Sequence, residues 1–118
     1  MRAVGDLEFF RASWIADYPD AESYLSLFYS PNHTPNGPNY SKFTNTDYDS
    51  LYQESLQEWD INQRNLYYQK MDSIIVAEKA TVPLFYDKAI RFIQPEIEGM
   101  KINPQNFLYL KKVKKHPK

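Results

Sequence analysis

The sequence predicts a mixed α/β fold, of the α+β kind, with about three helices and a few strands. Two stretches in the middle of the chain, residues 47–58 and 60–79, place apolar residues at helical spacing behind capping residues. Short runs rich in β-branched and aromatic residues lie before and after these stretches. The length of 118 residues is that of one domain.

The first part of the chain predicts one strand, one short helix and one long loop. Residues 8–16 read EFFRASWIA and predict a short buried strand. Residues 20–29 follow Pro19 and open with the acidic Asp20 and Glu22, as at the positive end of a helix, and predict a short helix. Residues 30–45 are rich in proline and asparagine and predict an irregular loop of a length that is often functional.

Capping patterns predict where the two central helices begin. Thr46 is expected to cap the first helix, with Asp49 three residues later, and Asp60 with Gln63 repeats the pattern for the second. In the second helix the apolar side chains share one face, at positions i, i+4, i+7 and i+8: Tyr67, Met71, Ile74 and Ile75.

The last part of the chain predicts short strands and a basic end. Residues 81–86 and 89–93 are β-rich and predict a hairpin, or a strand followed by a bend. Residues 95–104 are turn-like, residues 107–110 form a last apolar run, and residues 111–118 are predominantly basic.

Composition excludes several classes of protein. Lys and Arg number 14 against 15 Asp and Glu, so no overall charge favours nucleic acid. Cysteine is absent, no apolar run reaches the roughly 18 residues of a membrane span, and residues 1–8 lack the pattern of a secretory signal. Aromatic residues make up 16%, which suits a ligand wall around Trp14 and Tyr18. We expect others to form the core: Phe9, Tyr67, Phe85 and Phe107.

The densest group of potential ligand-binding side chains is residues 11–18, RASWIADY. In a regular strand, Arg11, Ile15 and Asp17 point to one face and Trp14 to the other. A carboxylate with apolar and aromatic neighbours there can receive a ligand ammonium group by a charge-assisted hydrogen bond. The structural alternative is that Asp17 caps the following helix and Trp14 lies in the core.

The same region carries a resemblance to a known family. Residues 13–21 read SWIADYPDA, Asn39-Tyr40 follows, the long helix contributes Arg64 and residues 71–75, and residues 82–86 read VPLFY. This order resembles the C-terminal part of the family 5 extracellular solute-binding proteins, the dipeptide- and oligopeptide-binding components of bacterial ABC importers. The resemblance implies part of one lobe of a two-lobed fold like that of periplasmic binding proteins, and therefore a fragment, since full members are several times longer.

The resemblance also implies roles for individual residues. In oligopeptide-binding members the acid of the Trp-x-x-Asp element pairs with the peptide's α-amino group, and that acid is here Asp17. Trp14 and Ile15 correspond to positions at the ligand cleft, and Arg11 to a basic residue that faces the carboxylate end of a short peptide in some members. Residues 1–98 then belong to the C-terminal ligand-binding lobe, and residues 99–118 form a strand and tail that return to the other lobe.

The implied partners are a peptide or other small solute and, for the full-length protein, an ABC permease in the cell envelope. No nucleic acid, no cofactor and no catalytic activity are expected, and apolar faces left uncovered in a fragment favour a homodimer. His33 and His116 lack a second ligand at metal spacing, so no metal site is expected. Two alternatives remain: a carbohydrate-binding module that stacks aromatic side chains on sugar rings, and a purely structural interaction domain.

Overall fold

The computed structural model describes residues 7–86, 88, 90–103, 105 and 107–117, and the chain divides into two compact units, Met1–Pro83 and Leu84–Lys118. The described residues form three helices and one two-stranded sheet, which confirms the predicted mixed α/β class. The elements are α1 (Glu22–Leu25), α2 (Thr46–Gln57), α3 (Ile61–Ala77), β1 (Ile97–Glu98) and β2 (Lys114–Lys115).

Both long helices form where the sequence predicts them. The cap of α2 is displaced by one residue, because the side chain of Asn45, and not that of Thr46, accepts the Tyr48 N–H at 2.9 Å. Asp49, the expected partner in the capping pattern, accepts the Ser30 N–H at 3.0 Å instead. Asp60 caps α3 as predicted, accepting the Asn62 N–H at 2.8 Å.

The predicted helix over residues 20–29 is mostly not α-helical. Only α1 is, and it continues into two 3₁₀ turns, Ser26–Phe28 and Ser30–Asn32. Leu25, at the end of α1, is buried and its carbonyl accepts the Tyr48 hydroxyl at 2.7 Å. This bond ties the short helix to α2 and explains how an element of only four residues holds its place.

Tyrosines dominate the core between α1, α2 and α3. The buried apolar residues are Leu25, Tyr48, Tyr52, Tyr68, Met71 and Ile75. The Tyr52 hydroxyl donates to the Glu22 carboxylate, and the Tyr68 hydroxyl donates to Asp20 at 2.8 Å. Burial raises the pKa of the phenol groups of all three tyrosines above the ordinary value. Three of the ten tyrosines therefore belong to the core, and each of their hydroxyls has its own partner.

The irregular segment over residues 30–45 is organised by one asparagine. The side-chain amide of Asn39, 0% exposed, donates to the carbonyls of Tyr29 at 3.1 Å and Phe43 at 3.0 Å. Its oxygen accepts the Ser41 hydroxyl at 3.0 Å and the Phe43 N–H at 3.3 Å. The Phe43 carbonyl also accepts His33 Nε2 at 3.0 Å. The segment has little regular secondary structure but is held by a dense set of hydrogen bonds.

The strands predicted over residues 8–16, 81–86 and 89–93 are absent wherever those residues are described, whereas the strand predicted within residues 99–118 has a short counterpart in β2. Residues 8–16 form no strand, and Phe9, expected in the core, is 90% exposed. Residues 81–86 and the described part of 89–93 form none either, and Phe85 and Phe107 are exposed; Ala89 lies outside the described residues. A β-rich run becomes a strand only when a partner strand pairs with its backbone, and none of these runs is paired within the described part of the chain.

The second unit contains the short sheet. β1 and β2 are antiparallel, with Ile97 opposite Lys115 and Glu98 opposite Lys114. Gly99 follows β1 with φ of 80°, and a Cβ at this position would lie 2.1 Å from the Lys112 carbonyl oxygen, so only glycine fits this turn.

Candidate functional site

The four residues proposed as ligand contacts lie on one exposed segment that precedes α1. Arg11 and Asp17 are exposed, Trp14 is 36% exposed and Ile15 is 62% exposed. The segment has no regular secondary structure and is not part of a sheet, so the strict alternation of faces expected for a strand does not apply to it.

A tight corner follows this segment and begins at Asp17. The Asp17 N–H donates to the hydroxyl of Ser23 at 3.0 Å, which closes a loop across six residues. Inside the loop the Asp20 N–H donates to the Tyr18 carbonyl at 2.8 Å, and the Ser23 N–H donates to the Asp20 carbonyl at 3.3 Å. The Ser23 hydroxyl, at the other end of the corner, therefore fixes the backbone at Asp17.

Asp20 anchors the corner to α3. Its Oδ1 accepts the Tyr68 hydroxyl at 2.8 Å and the Glu22 N–H at 3.0 Å, and its Oδ2 lies 3.1 Å from the Arg64 guanidinium. Burial and the hydrogen bond to Asp20 raise the pKa of Tyr68, so this hydroxyl stays a donor even where an exposed phenol ionises. One carboxylate thus joins the backbone of α1 to two side chains of α3.

Glu22 anchors the same corner to α2. Its side chain is buried and accepts the Tyr52 hydroxyl. The ring of Tyr52 stacks on that of Tyr29 at 4.3 Å between centroids, and Gln53 donates to the Tyr29 hydroxyl at 2.8 Å. The corner between Asp17 and Leu25 is consequently held by both long helices.

This geometry bears on the structural alternative for Asp17 and Trp14. The first residue before α1 is Ala21, and the side chain that accepts a backbone N–H of α1 is that of Asp20. Trp14 is not among the residues of the core cluster. Asp20 therefore supplies a cap of α1, and Trp14 lies outside the core that the tyrosines form.

Sequence reasoning missed the residues that hold the corner. Ser23, Glu22 and Arg64 carry no local signal for this role, because their partners lie up to tens of residues away along the chain. The available signal was weak: acidic residues just before a short helix favour its N-terminal end. That rule fits Asp20 and says nothing of Tyr68.

The histidines serve structural contacts. His33 donates to the Phe43 carbonyl, and His116 lies 3.1 Å from the Glu98 carboxylate in the second unit. Within the described residues, no group of three or more His, Cys, Asp or Glu side chains has the arrangement of a metal site. No helix in that part of the chain is both long and apolar enough to cross a membrane.

Comparison with known proteins identifies the class of protein to which the chain belongs. No family model matches the chain. It is 32% identical over 113 residues to the probable deoxycholate-binding periplasmic protein YgiS of Escherichia coli, covering 95% of the chain and 20% of that protein. It is 30% identical over 109 residues to the periplasmic murein peptide-binding protein MppA of E. coli, covering 92% and 20%. The periplasmic oligopeptide-binding protein OppA of Haemophilus influenzae is 30% identical over 111 residues, covering 93% and 20%.

These relatives are periplasmic solute-binding proteins, and the chain spans about a fifth of their length. The chain belongs to the family 5 extracellular solute-binding proteins, of which it is a fragment. The mixed α/β fold agrees with a piece of a fold like that of periplasmic binding proteins.

Proposed function

We propose that the complete protein to which this chain belongs is the substrate-binding component of a bacterial ABC importer. It captures a short peptide or a similar small solute in the cell envelope and delivers it to the permease, without catalysing a reaction. Support comes from the relatives, which are named as binding proteins and, among those described above, as periplasmic.

Asp17 receives the ligand's ammonium group in this proposal. The observation that carries it is an exposed carboxylate whose backbone is fixed by a buried serine at the end of an exposed apolar segment. A hydrogen bond between a carboxylate and an ammonium group is about twice as strong as a neutral one, and it strengthens when water is excluded. Closure of the remainder of the protein over Asp17 supplies that exclusion.

Neighbouring side chains complete the proposed ligand contacts. Trp14 and Ile15 offer apolar surface that accepts peptide side chains of different sequence, and Arg11 offers a positive charge for a ligand carboxylate. Residues 1–98 would belong to the ligand-binding lobe and residues 99–118 would return to the other lobe of the complete protein.

An amphipathic acid is the second candidate ligand. One relative is named as deoxycholate-binding, and exposed apolar side chains close in sequence to an arginine suit such a molecule. Deoxycholate has no amine, so it gains nothing from the Asp17 carboxylate. The two ligand classes therefore differ in whether binding depends on Asp17.

Calorimetric titration of the complete protein separates the candidates. Trialanine is expected to bind, and both Asp17→Asn and N-acetylation of the peptide should lower its affinity at least tenfold, since a charge-assisted hydrogen bond is worth roughly 1.5–3 kcal/mol. Asp72→Asn removes an exposed carboxylate from α3 and serves as the control, with an expected change below twofold. Peptide binding that Asp17→Asn leaves unchanged contradicts the proposal.

Binding of other ligands has equally definite meanings. Binding of deoxycholate but not of trialanine, with no effect of Asp17→Asn, supports the amphipathic acid. Binding of an oligosaccharide that is insensitive to Asp17 supports a carbohydrate-binding module. A protein that binds none of these, and in which Asp17→Asn changes only stability, is a structural domain.

A further inference from the structure

We propose that Ser23 is a positioning residue for the Asp17 carboxylate. Its hydroxyl fixes the backbone at Asp17 and thereby sets where the carboxylate meets the ligand's ammonium group. The inference deepens the proposed function and rests on it.

The contact between the two residues is direct. The Ser23 hydroxyl accepts the Asp17 N–H at 3.0 Å, and the Asp17 side chain leaves the backbone one bond beyond that nitrogen. Any movement of the backbone at this N–H therefore displaces the carboxylate as well. Hydrogen bonds weaken steeply with misalignment, so a small displacement reduces the strength of a contact with an ammonium group.

Ser23 is itself held rigidly. It is 2% exposed, its N–H donates to the Asp20 carbonyl, and its own carbonyl accepts the Ser26 hydroxyl at 3.2 Å. Asp20 and Glu22, on the same corner, are bound to Tyr68 and Tyr52 of the two long helices. The Ser23 hydroxyl therefore belongs to the scaffold, which consists of the corner together with α2 and α3, and not to the exposed segment.

Removal of the Ser23 hydroxyl breaks the link between the scaffold and the exposed segment that ends at Asp17. The Asp17 N–H then pairs with water, and the exposed segment is no longer joined to the scaffold at this point. The loss of one hydrogen bond is worth about 1 kcal/mol, which corresponds to about a fivefold loss of affinity when the bond is needed to place the carboxylate.

A double-mutant cycle in the complete protein tests this role, with trialanine as the ligand. Ser23→Ala is expected to lower the affinity about fivefold in the parent protein and less than twofold in the Asp17→Asn background, because no carboxylate remains to be positioned. Ser55→Ala is the matched control: Ser55 is also buried, and its hydroxyl donates to the Tyr52 carbonyl at 2.7 Å within α2. It should leave the affinity within twofold of the parent.

Two variants of equal size isolate the hydroxyl if Ser23→Ala does not fold. Ser23→Thr keeps the hydroxyl and Ser23→Val lacks it, so the threonine variant should bind trialanine about fivefold more tightly. Hydrogen exchange of the segment that contains Asp17 should be faster in the valine variant. Equal affinities for the two variants contradict the inference.

The failures of the inference and of the proposed function are distinguishable. A Ser23→Ala loss of the same size in both backgrounds shows that Ser23 acts on the fold and not through Asp17, and it overturns the inference alone. An unchanged affinity of Asp17→Asn for trialanine overturns the proposed function, and the inference with it.

Discussion

Replacement of Asn39 by aspartate should destabilise the chain strongly, and more so at neutral than at acidic pH. The amide of Asn39 acts as a double donor to the carbonyls of Tyr29 and Phe43, and an ionised carboxylate cannot donate to either. Both carbonyls keep one other donor, the Asn32 N–H and His33 Nε2 respectively. The change therefore removes two hydrogen bonds and directs a buried negative charge at two carbonyl oxygens.

The magnitude follows from these contacts. Two lost hydrogen bonds amount to about 2 kcal/mol, and burial of an ionised carboxylate against two carbonyls adds about 2 kcal/mol or more, so the free energy of unfolding should fall by about 4 kcal/mol at pH 7. The protonated acid donates one bond and carries no charge, so the loss at pH 4 should be about 1 kcal/mol. The difference of about 3 kcal/mol raises the pKa of the introduced carboxyl in the folded chain by roughly 2 units.

The sign of the pH dependence follows from that shift. A pKa raised by folding makes the variant most stable, relative to the parent, below the unfolded value of about 4, and this stability is lost as the pH rises through the folded value. Asn45→Asp is the control, because Asn45 acts as an acceptor at the N-terminus of α2. The same replacement there should change stability by less than about 0.5 kcal/mol at pH 7.

Urea denaturation of both variants and the parent at pH 4, 5.5 and 7, followed by circular dichroism, measures the effect. Equal losses for the two variants, or a loss at Asn39 that does not change with pH, would refute the assignment of Asn39 as a donor to two carbonyls.

Two further predictions concern packing and are measured by the same denaturation assay. Met71→Ala, at a fully buried position of α3, should lower the free energy of unfolding by about 3 kcal/mol through the cavity it leaves, whereas a loss below about 1 kcal/mol would contradict the core position. Gly37→Ala brings a Cβ to 2.5 Å from the Asn32 carbonyl oxygen and should lower stability by about 2 kcal/mol; unchanged stability would show that the loop has room at this position.

The sequence predicts the long helices because their signals are local. Asp60 and the apolar spacing up to Ile75 lie within α3 itself, so its bounds follow from the chain alone. The cap of α2 is misplaced by one residue because Asn45 and Thr46 are both good capping residues, and only the structure distinguishes them.

The strand predictions over residues 8–16, 81–86 and 89–93 fail for a non-local reason. Phe9 and Phe85 lie in runs with strand-like composition, yet strand formation requires a second strand, and the chain spans about a fifth of its relatives. In the candidate site, too, a local pattern predicts some residues and only the fold reveals others. Asp17 follows from a sequence motif, whereas Ser23 becomes visible only when the corner brings its hydroxyl to the Asp17 N–H.

The tyrosine core gives the chain a specific sensitivity to alkali. The pKa of Tyr48, Tyr52 and Tyr68 is raised by burial above the ordinary value of 10.0, so these phenols stay protonated in the folded chain when those of the unfolded chain ionise. Their contribution to stability is complete below about pH 10 and decreases above it, by about 1.4 kcal/mol per pH unit for each phenol. Hydroxide therefore acts on this protein as a denaturant whose target is the interior.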